Sequence, residues 1–341
     1  MKKIFLIGLT AAAMLASCSN DETVEMAQQK AIGFSNAFVN NGTRSVVDPS
    51  FTTSTLKDFA VYGFTQKGQI FNGEKVSKGG TAWSYDNVQY WVPGNTYTFG
   101  AIAPYSVAGN VSNVTLPTGA TKVGMEVAFT NTDADQVDLL HAEPTQITGV
   151  TATYTTTVSM TFNHQLSKVK FSFQNSVGEG YNVKVSNVKI TDAFKEGTLT
   201  VAAAGNTWGG QTNKNLELNF GNVVADASTT EASVIAYAAT LESYNEKLMI
   251  PMGSSAIYTV TFTAELFKDN VSLGIYNHRV EIKNVEFKLG YCYNFKASLT
   301  HKNITGPDEL NPIEFTVASV KNWDQTESNK DLSVPTTQSG I

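Results

Sequence analysis

Tyr258-Thr259-Val260-Thr261-Phe262-Thr263-Ala264-Glu265-Leu266 alternates apolar and polar residues without a break. Successive side chains of a β-strand point to opposite faces, so an extended chain buries Tyr258, Val260, Phe262, Ala264 and Leu266 together. A helix would spread the same residues around its circumference. Lys168-Val169-Lys170-Phe171-Ser172-Phe173 repeats the pattern, with lysines on the wet side. Further strands are expected over residues 59–65, 97–103, 158–162, 183–190, 216–220, 293–299 and 313–317, where valine, threonine, tyrosine and phenylalanine dominate. No window of helical length carries a sustained 3.6-residue apolar period. The chain therefore reads as all-β, its short strands divided by clusters of glycine, asparagine, aspartate and serine as in a β-sandwich.

The 341 residues suit two domains of ordinary size. A Thr-rich stretch at 145–157 suggests a division, giving an N-terminal β-sandwich domain over 31–152 and a C-terminal one over 153–326, followed by a polar tail over 327–341. The formal charge of −6 offers no basic field for a phosphate backbone, so nucleic acid is excluded as a partner. Acidic substrates are disfavoured on the same ground.

The N-terminus gives an address. Lys2 and Lys3 precede an apolar run over residues 4–15, and Leu15-Ala16-Ser17-Cys18 closes it with small residues before a cysteine. This is the order of an export signal, and the run falls well short of the ~20 apolar residues that span a bilayer. Residues 1–17 are expected to be a lipoprotein signal peptide, with Cys18 carrying acyl chains such as palmitate that hold the precursor in the outer membrane. The alternative is a plain secretory signal beside an incidental cysteine. Residues 18–30 are polar and read as a tether. With Cys18 acylated, Cys292 has no partner for an intramolecular disulfide and reads as a small hydrophobe in a strand.

Little in the chain points to catalysis. His141, His164, His278 and His301 are scattered without metal-ligand spacing, and no zincin, nucleophile-elbow, phosphate-loop or EF-hand motif occurs. Asp133, Asp135 and Asp138 could serve calcium, but such spacing is common in solvated turns and the rest of a ligand set is missing. No cofactor, metal or enzymatic activity is expected. The aromatics of residues 83–105 invite a second reading: Trp83, Tyr85, Tyr90 and Trp91 could form a sugar-stacking platform, although core packing is the simpler use of Trp91 and Phe99.

In order along the chain, the lipobox, Thr43-Arg44, Phe59-Ala60-Val61-Tyr62-Gly63-Phe64, Ile70-Phe71-Asn72-Gly73, Trp83-Ser84-Tyr85, Tyr90-Trp91 and Tyr97-Thr98-Phe99 leading to Ala103-Pro104-Tyr105 resemble the fimbrillin family. Asp138-Leu139-Leu140-His141-Ala142 and Phe162-Asn163-His164-Gln165-Leu166-Ser167-Lys168-Val169 resemble its Mfa-like branch, and the C-terminal half matches more loosely through Asn322-Trp323. The resemblance implies two tandem transthyretin-like β-sandwich domains and a place in type V pili of the Bacteroidales. It implies a surface lipoprotein precursor from which an arginine-specific protease removes the lipid and the first strand. A neighbouring subunit's strand then fills the vacated groove, which is β-strand addition.

The chain supplies parts for that exchange. In Ala31-Ile32-Gly33-Phe34-Ser35-Asn36-Ala37-Phe38-Val39 the even positions Ile32, Phe34 and Phe38 carry large apolar groups, and burying three of them stabilises by about 5–9 kcal/mol. Asn40-Asn41-Gly42-Thr43-Arg44-Ser45 follows as a polar turn, making Arg44-Ser45 the expected cleavage point; an ordinary loop arginine is the alternative. The tail over 327–341 is polar and contains Pro335, which makes it a poor strand donor and favours a tip-like adhesin over a stalk subunit. A lipid-anchored glycan-binding protein that does not polymerise is the rival function, with a host protein or glycan as possible ligand in either case.

Overall fold

In a computed structural model, described over residues 30–39, 56–80, 82–253, 255–306 and 312–322, the alternating stretches are strands and the chain is all-β. Cys18, Arg44, Ser45, the signal peptide, most of the tether and the polar tail lie outside the described residues. In chain order the strands are β1 (Phe34–Val39), β2 (Asp58–Thr65), β3 (Gly68–Gly79), β4 (Ala82–Ser84), β5 (Tyr97–Ala103), β6 (Val111–Thr115), β7 (Gly124–Thr130), β8 (Leu140–Ala142), β9 (Val158–His164) and β10 (Ser167–Asn175). They continue with β11 (Tyr181–Val201), β12 (Thr207–Gly221), β13 (Val223–Val224), β14 (Thr240–Ser243), β15 (Lys247–Met249), β16 (Tyr258–Lys268), β17 (Val271–Ile282), β18 (Tyr291–Leu299) and β19 (Phe315–Asn322). One five-residue helix, α1 (His301–Thr305), is capped at Thr300 by a reciprocal bond with Asn303.

Among the described residues these strands form three sheets. The first runs β1-β9-β8-β5-β2-β3-β4, the second β13-β14-β10-β18-β19 with β15 also on β10, and the third β17-β16-β11-β7-β6 with β12 also on β11. The second and third face each other across a core that includes Phe171, Phe173, Val185, Phe220, Phe262, Leu266 and Phe295. One face of the first sheet packs through Ala60, Tyr62 and Ile102 against Met125, Val127 and Phe129 of β7 and Leu199 and Val201 of β11. Its other face builds a separate core from Phe59, Val61, Phe71, Phe99, Ala101 and Phe162. Covered on both faces, β5 is buried along its whole length.

Strand pairing crosses the division read at residues 152–153. β9 pairs with β8 and β1 of the first sheet, whereas β7, from the first half of the chain, pairs antiparallel with the end of β11 from Met125 against Val201 to Thr130 against Glu196. β11 is long enough to serve both neighbourhoods. Val183 to Ile190 lie in the C-terminal core, while Leu199 and Val201 lie in the core beneath the first sheet. Backbone hydrogen bonding decides these allegiances, and it leaves no mark in a strand's own alternation.

Candidate functional site

The site begins with the first described residues. Residues 30–39 run along the edge of the first sheet and change partners part-way. The Trp91 amide donates to the Lys30 carbonyl (2.9 Å) and the Ile32 amide to the Gln89 carbonyl (2.8 Å), with Ala31 and Tyr90 in an antiparallel bridge. From Gly33 the segment turns to β9. The Val158 amide donates to the Gly33 carbonyl (2.7 Å), and β1 then runs parallel to β9 with Phe34 beside Val158 and Ser35 beside Ser159. The register shifts before Phe38, whose backbone lies beside Thr161.

Two side chains anchor the segment. Ile32 is 1 % exposed and Phe34 5 %, and both belong to the core that otherwise starts at Leu56. Phe34 stands edge-on to Phe59, Phe71, Tyr85 and Phe99, with ring centroids 5.5 to 6.2 Å away. Edge-to-face contact of this kind adds to area burial. The Tyr85 hydroxyl donates to the Ile32 carbonyl at 2.7 Å, and burial, the largest cause, raises its pKa and keeps that proton in place. Of the removable-strand residues read from sequence, Ile32 and Phe34 meet in one core; the side chain of Phe38 lies outside what is described.

The four aromatics weighed as a sugar platform are divided by this arrangement. Trp91 is 3 % exposed and packs edge-on against Tyr97 and Tyr154. Tyr85 is committed to Phe34 and Ile32, and Trp83 is half-buried against Phe59. Tyr90 alone of the four is largely exposed, so they present no common open face. Asp133 and Asp138 are also engaged. Asp133 accepts from the Asn219 amide and pairs with Lys247, and Asp138 lies 2.8 Å from the His164 ring nitrogen. No group of three metal-binding side chains occurs among the described residues. Cys292 is half-buried, and burial drives its thiol pKa up to about 12, which removes any thiolate reactivity near neutral pH.

A fimbrillin-like family model matches residues 43–323, most of the chain. This chain is a member of the fimbrillin-like family. The fold agrees. A fimbrial protein from Bacteroides vulgatus, 17 % identical, superposes with a TM-score of 0.61 over 86 % of this chain and 99 % of its own. A candidate cell adhesion protein from Bacteroides ovatus, 16 % identical, covers 88 % of this chain and 99 % of its own with a TM-score of 0.49. No curated protein sequence matches. Membership in the fimbrillin-like family implies a place at the cell surface and assembly with other fimbrial subunits. None of the described helices is long and apolar enough to cross a membrane.

Sequence reasoning missed the partners of the first strand. Gln89, Tyr90 and Trp91 hold residues 30–32 through backbone groups, and Tyr85 does so through its hydroxyl. The crowding of aromatics around residue 85 was the available signal, and it marked the wall of the pocket that holds Phe34.

Proposed function

We propose that this fimbrillin-like protein is a fimbrial subunit precursor or tip-like adhesin, exported as a surface lipoprotein on Cys18, cleaved between Arg44 and Ser45, and assembled by strand exchange. The observation that carries the reading is the edge segment 30–39, which lends Ile32 and Phe34 to a core whose other members start at Leu56. Cleavage after Arg44 would cut the covalent link between that segment and the rest of the fold. Removal would then expose the Phe34 pocket of Phe59, Phe71, Tyr85 and Phe99, together with the backbone edges at residues 89–91 and along β9. A donated strand with apolar residues at alternate positions fits such an opening. Losing two buried side chains forfeits about 3–6 kcal/mol, comparable to the whole stability of many domains, so the groove has to be refilled. On this reading the fold comprises two transthyretin-like sandwiches that meet along β11.

The test is the N-terminus and intact mass of the protein recovered from the cell surface. A chain starting at Ser45 is the expected result. A chain that still starts at acylated Cys18 would overturn cleavage and point to an anchor subunit or a non-polymerising surface binder.

A further inference from the structure

The outer face of the third sheet carries a feature unrelated to the strand groove. Lys189 on β11, Thr261 on β16 and Arg279 on β17 stand directly opposite one another, and in the adjoining row Ser186, Thr263 and Asn277 do the same. These residues alternate with Val260, Phe262, Ala264 and Val280 of the C-terminal core, so they face away from it. Between the two rows β11 gains one residue over β16 at Asn187 and Val188, a β-bulge. Asn187 sits there in the left-handed region (φ 55°), and its amide is tied to the Asn222 side chain at 3.1 Å. Beside the bulge lies a shallow, open basin of about 410 Å³ whose lining includes Asn187, Lys189, Thr261, Thr263, Asn277 and Arg279.

We propose that this basin is a binding site for a carboxylated saccharide, a uronic or sialic acid unit. Lys189 and Arg279 put a cation on each wall, and an arginine fork matches a carboxylate in two-point geometry. Between them lie groups suited to sugar hydroxyls. Thr263 donates to the Asn277 side-chain oxygen at 2.9 Å, which fixes that amide and directs its NH₂ end away from Thr263. Thr261 and Asn187 add a hydroxyl and a second amide. The wall cations already have carboxylate neighbours, Glu217 at 2.7 Å from Lys189 and Glu281 at 3.9 Å from Arg279, and Arg279 also donates to Thr259. Glu217 and Glu281 have side chains 53 % and 37 % exposed, and pairs this wet contribute little, so an incoming carboxylate displaces them cheaply. The net charge of −6 works against anionic ligands in general, so the two wall cations have to hold the acidic unit through short-range contacts.

Saturation-transfer NMR on the full chain tests the site with sialyllactose and trigalacturonic acid as probes and lactose and inorganic phosphate as controls. At least one carboxylated saccharide should bind with a dissociation constant on the order of 1 mM, which suits an open polar site, and lactose should not. Arg279→Gln and Lys189→Met should each weaken binding about tenfold, the scale of a lost charge-assisted hydrogen bond. Glu217→Gln should strengthen it by releasing Lys189, an effect that loss of fold would not mimic. Absence of transfer to both acids, equal binding of lactose, phosphate competing as well as the saccharides, or indifference to Arg279→Gln would each overturn the proposal. The strand-exchange reading is untouched by any of these results, because the basin and the groove share no residue.

Discussion

The strands β1 and β19 both close a sheet at its edge, yet they do so by different physics. β19 lies antiparallel to β18, from Phe315 opposite Ala297 to Asn322 opposite Tyr291, and its Phe315 and Val317 are only half-buried. Segment 30–39 changes partners at Ile32 and Gly33, runs parallel to β9, and places Ile32 and Phe34 wholly inside. Ile313 enters the C-terminal core just before β19, but β19 itself lies over that core as a cover, whereas segment 30–39 is a component of its core. A parallel neighbour needs no tight turn to hold it, so what fixes β1 is backbone pairing plus two pockets, features that a strand from another chain can reproduce.

The sharpest test of that contrast is Phe34→Ala against Phe315→Ala. Phe34 touches four buried or half-buried rings, and its truncation should cost about 3–5 kcal/mol in urea unfolding of the full chain. Phe315, half-exposed although it meets Phe171, Phe173 and Phe262, should cost about 1–2 kcal/mol. Equal losses would erase the distinction.

Acid should strike the N-terminal region through His141. This residue on β8 is buried, its Nδ1 lies 3.1 Å from the Asn206 amide, and burial, with Lys122 assisting and Glu143 opposing, lowers its pKa from 6.5 to about 4. Between those values the unfolded chain binds a proton that the folded chain refuses. Stability should therefore be level above pH 6.5 and fall by about 3 kcal/mol on descending to about pH 4. Trp83 packs against the first core and Trp208 beside the core below it, so unfolding followed by tryptophan fluorescence near neutrality and near pH 4 reads the effect, and His141→Gln should blunt it.

Gly63→Ala probes how tightly the same region is filled. Its added methyl would meet Phe71 at 2.9 Å and Phe99 at 3.0 Å, two rings that also touch Phe34, for a loss of about 1–3 kcal/mol in the same unfolding measurement. The smallest effect is expected from Tyr85→Phe, which keeps the ring and removes the hydroxyl bonded to the Ile32 carbonyl. About 1 kcal/mol should be lost, accompanied by faster hydrogen exchange at the Ile32 amide; unchanged exchange would mean that Tyr85 does not hold the segment.

Much of this could be read from the chain because strand alternation is a local property. Tyr258 to Leu266 and Lys168 to Phe173 lie in β16 and β10, with the apolar positions buried. The apolar character of Ile32 and Phe34 likewise foretold their burial. What could not be read is non-local. The pairing of β7 with β11 and the row Lys189–Thr261–Arg279 arise from register between segments many residues apart, and neither residue spacing nor composition encodes it. The aromatic cluster was visible, but whether its rings face water or Phe34 depended on a strand fifty residues upstream in sequence.

The length of β11 carries a mechanical consequence. From Tyr181 to Val201 it is one uninterrupted strand, bonded along its course to β16, β12 and β7, with one end in the C-terminal core and the other beneath the first sheet. Tension applied along this backbone loads its lateral hydrogen bonds in shear. Many must then yield at once, whereas a pull across the strands would peel them apart singly. A load carried along β11 from one core to the other therefore meets many lateral bonds together.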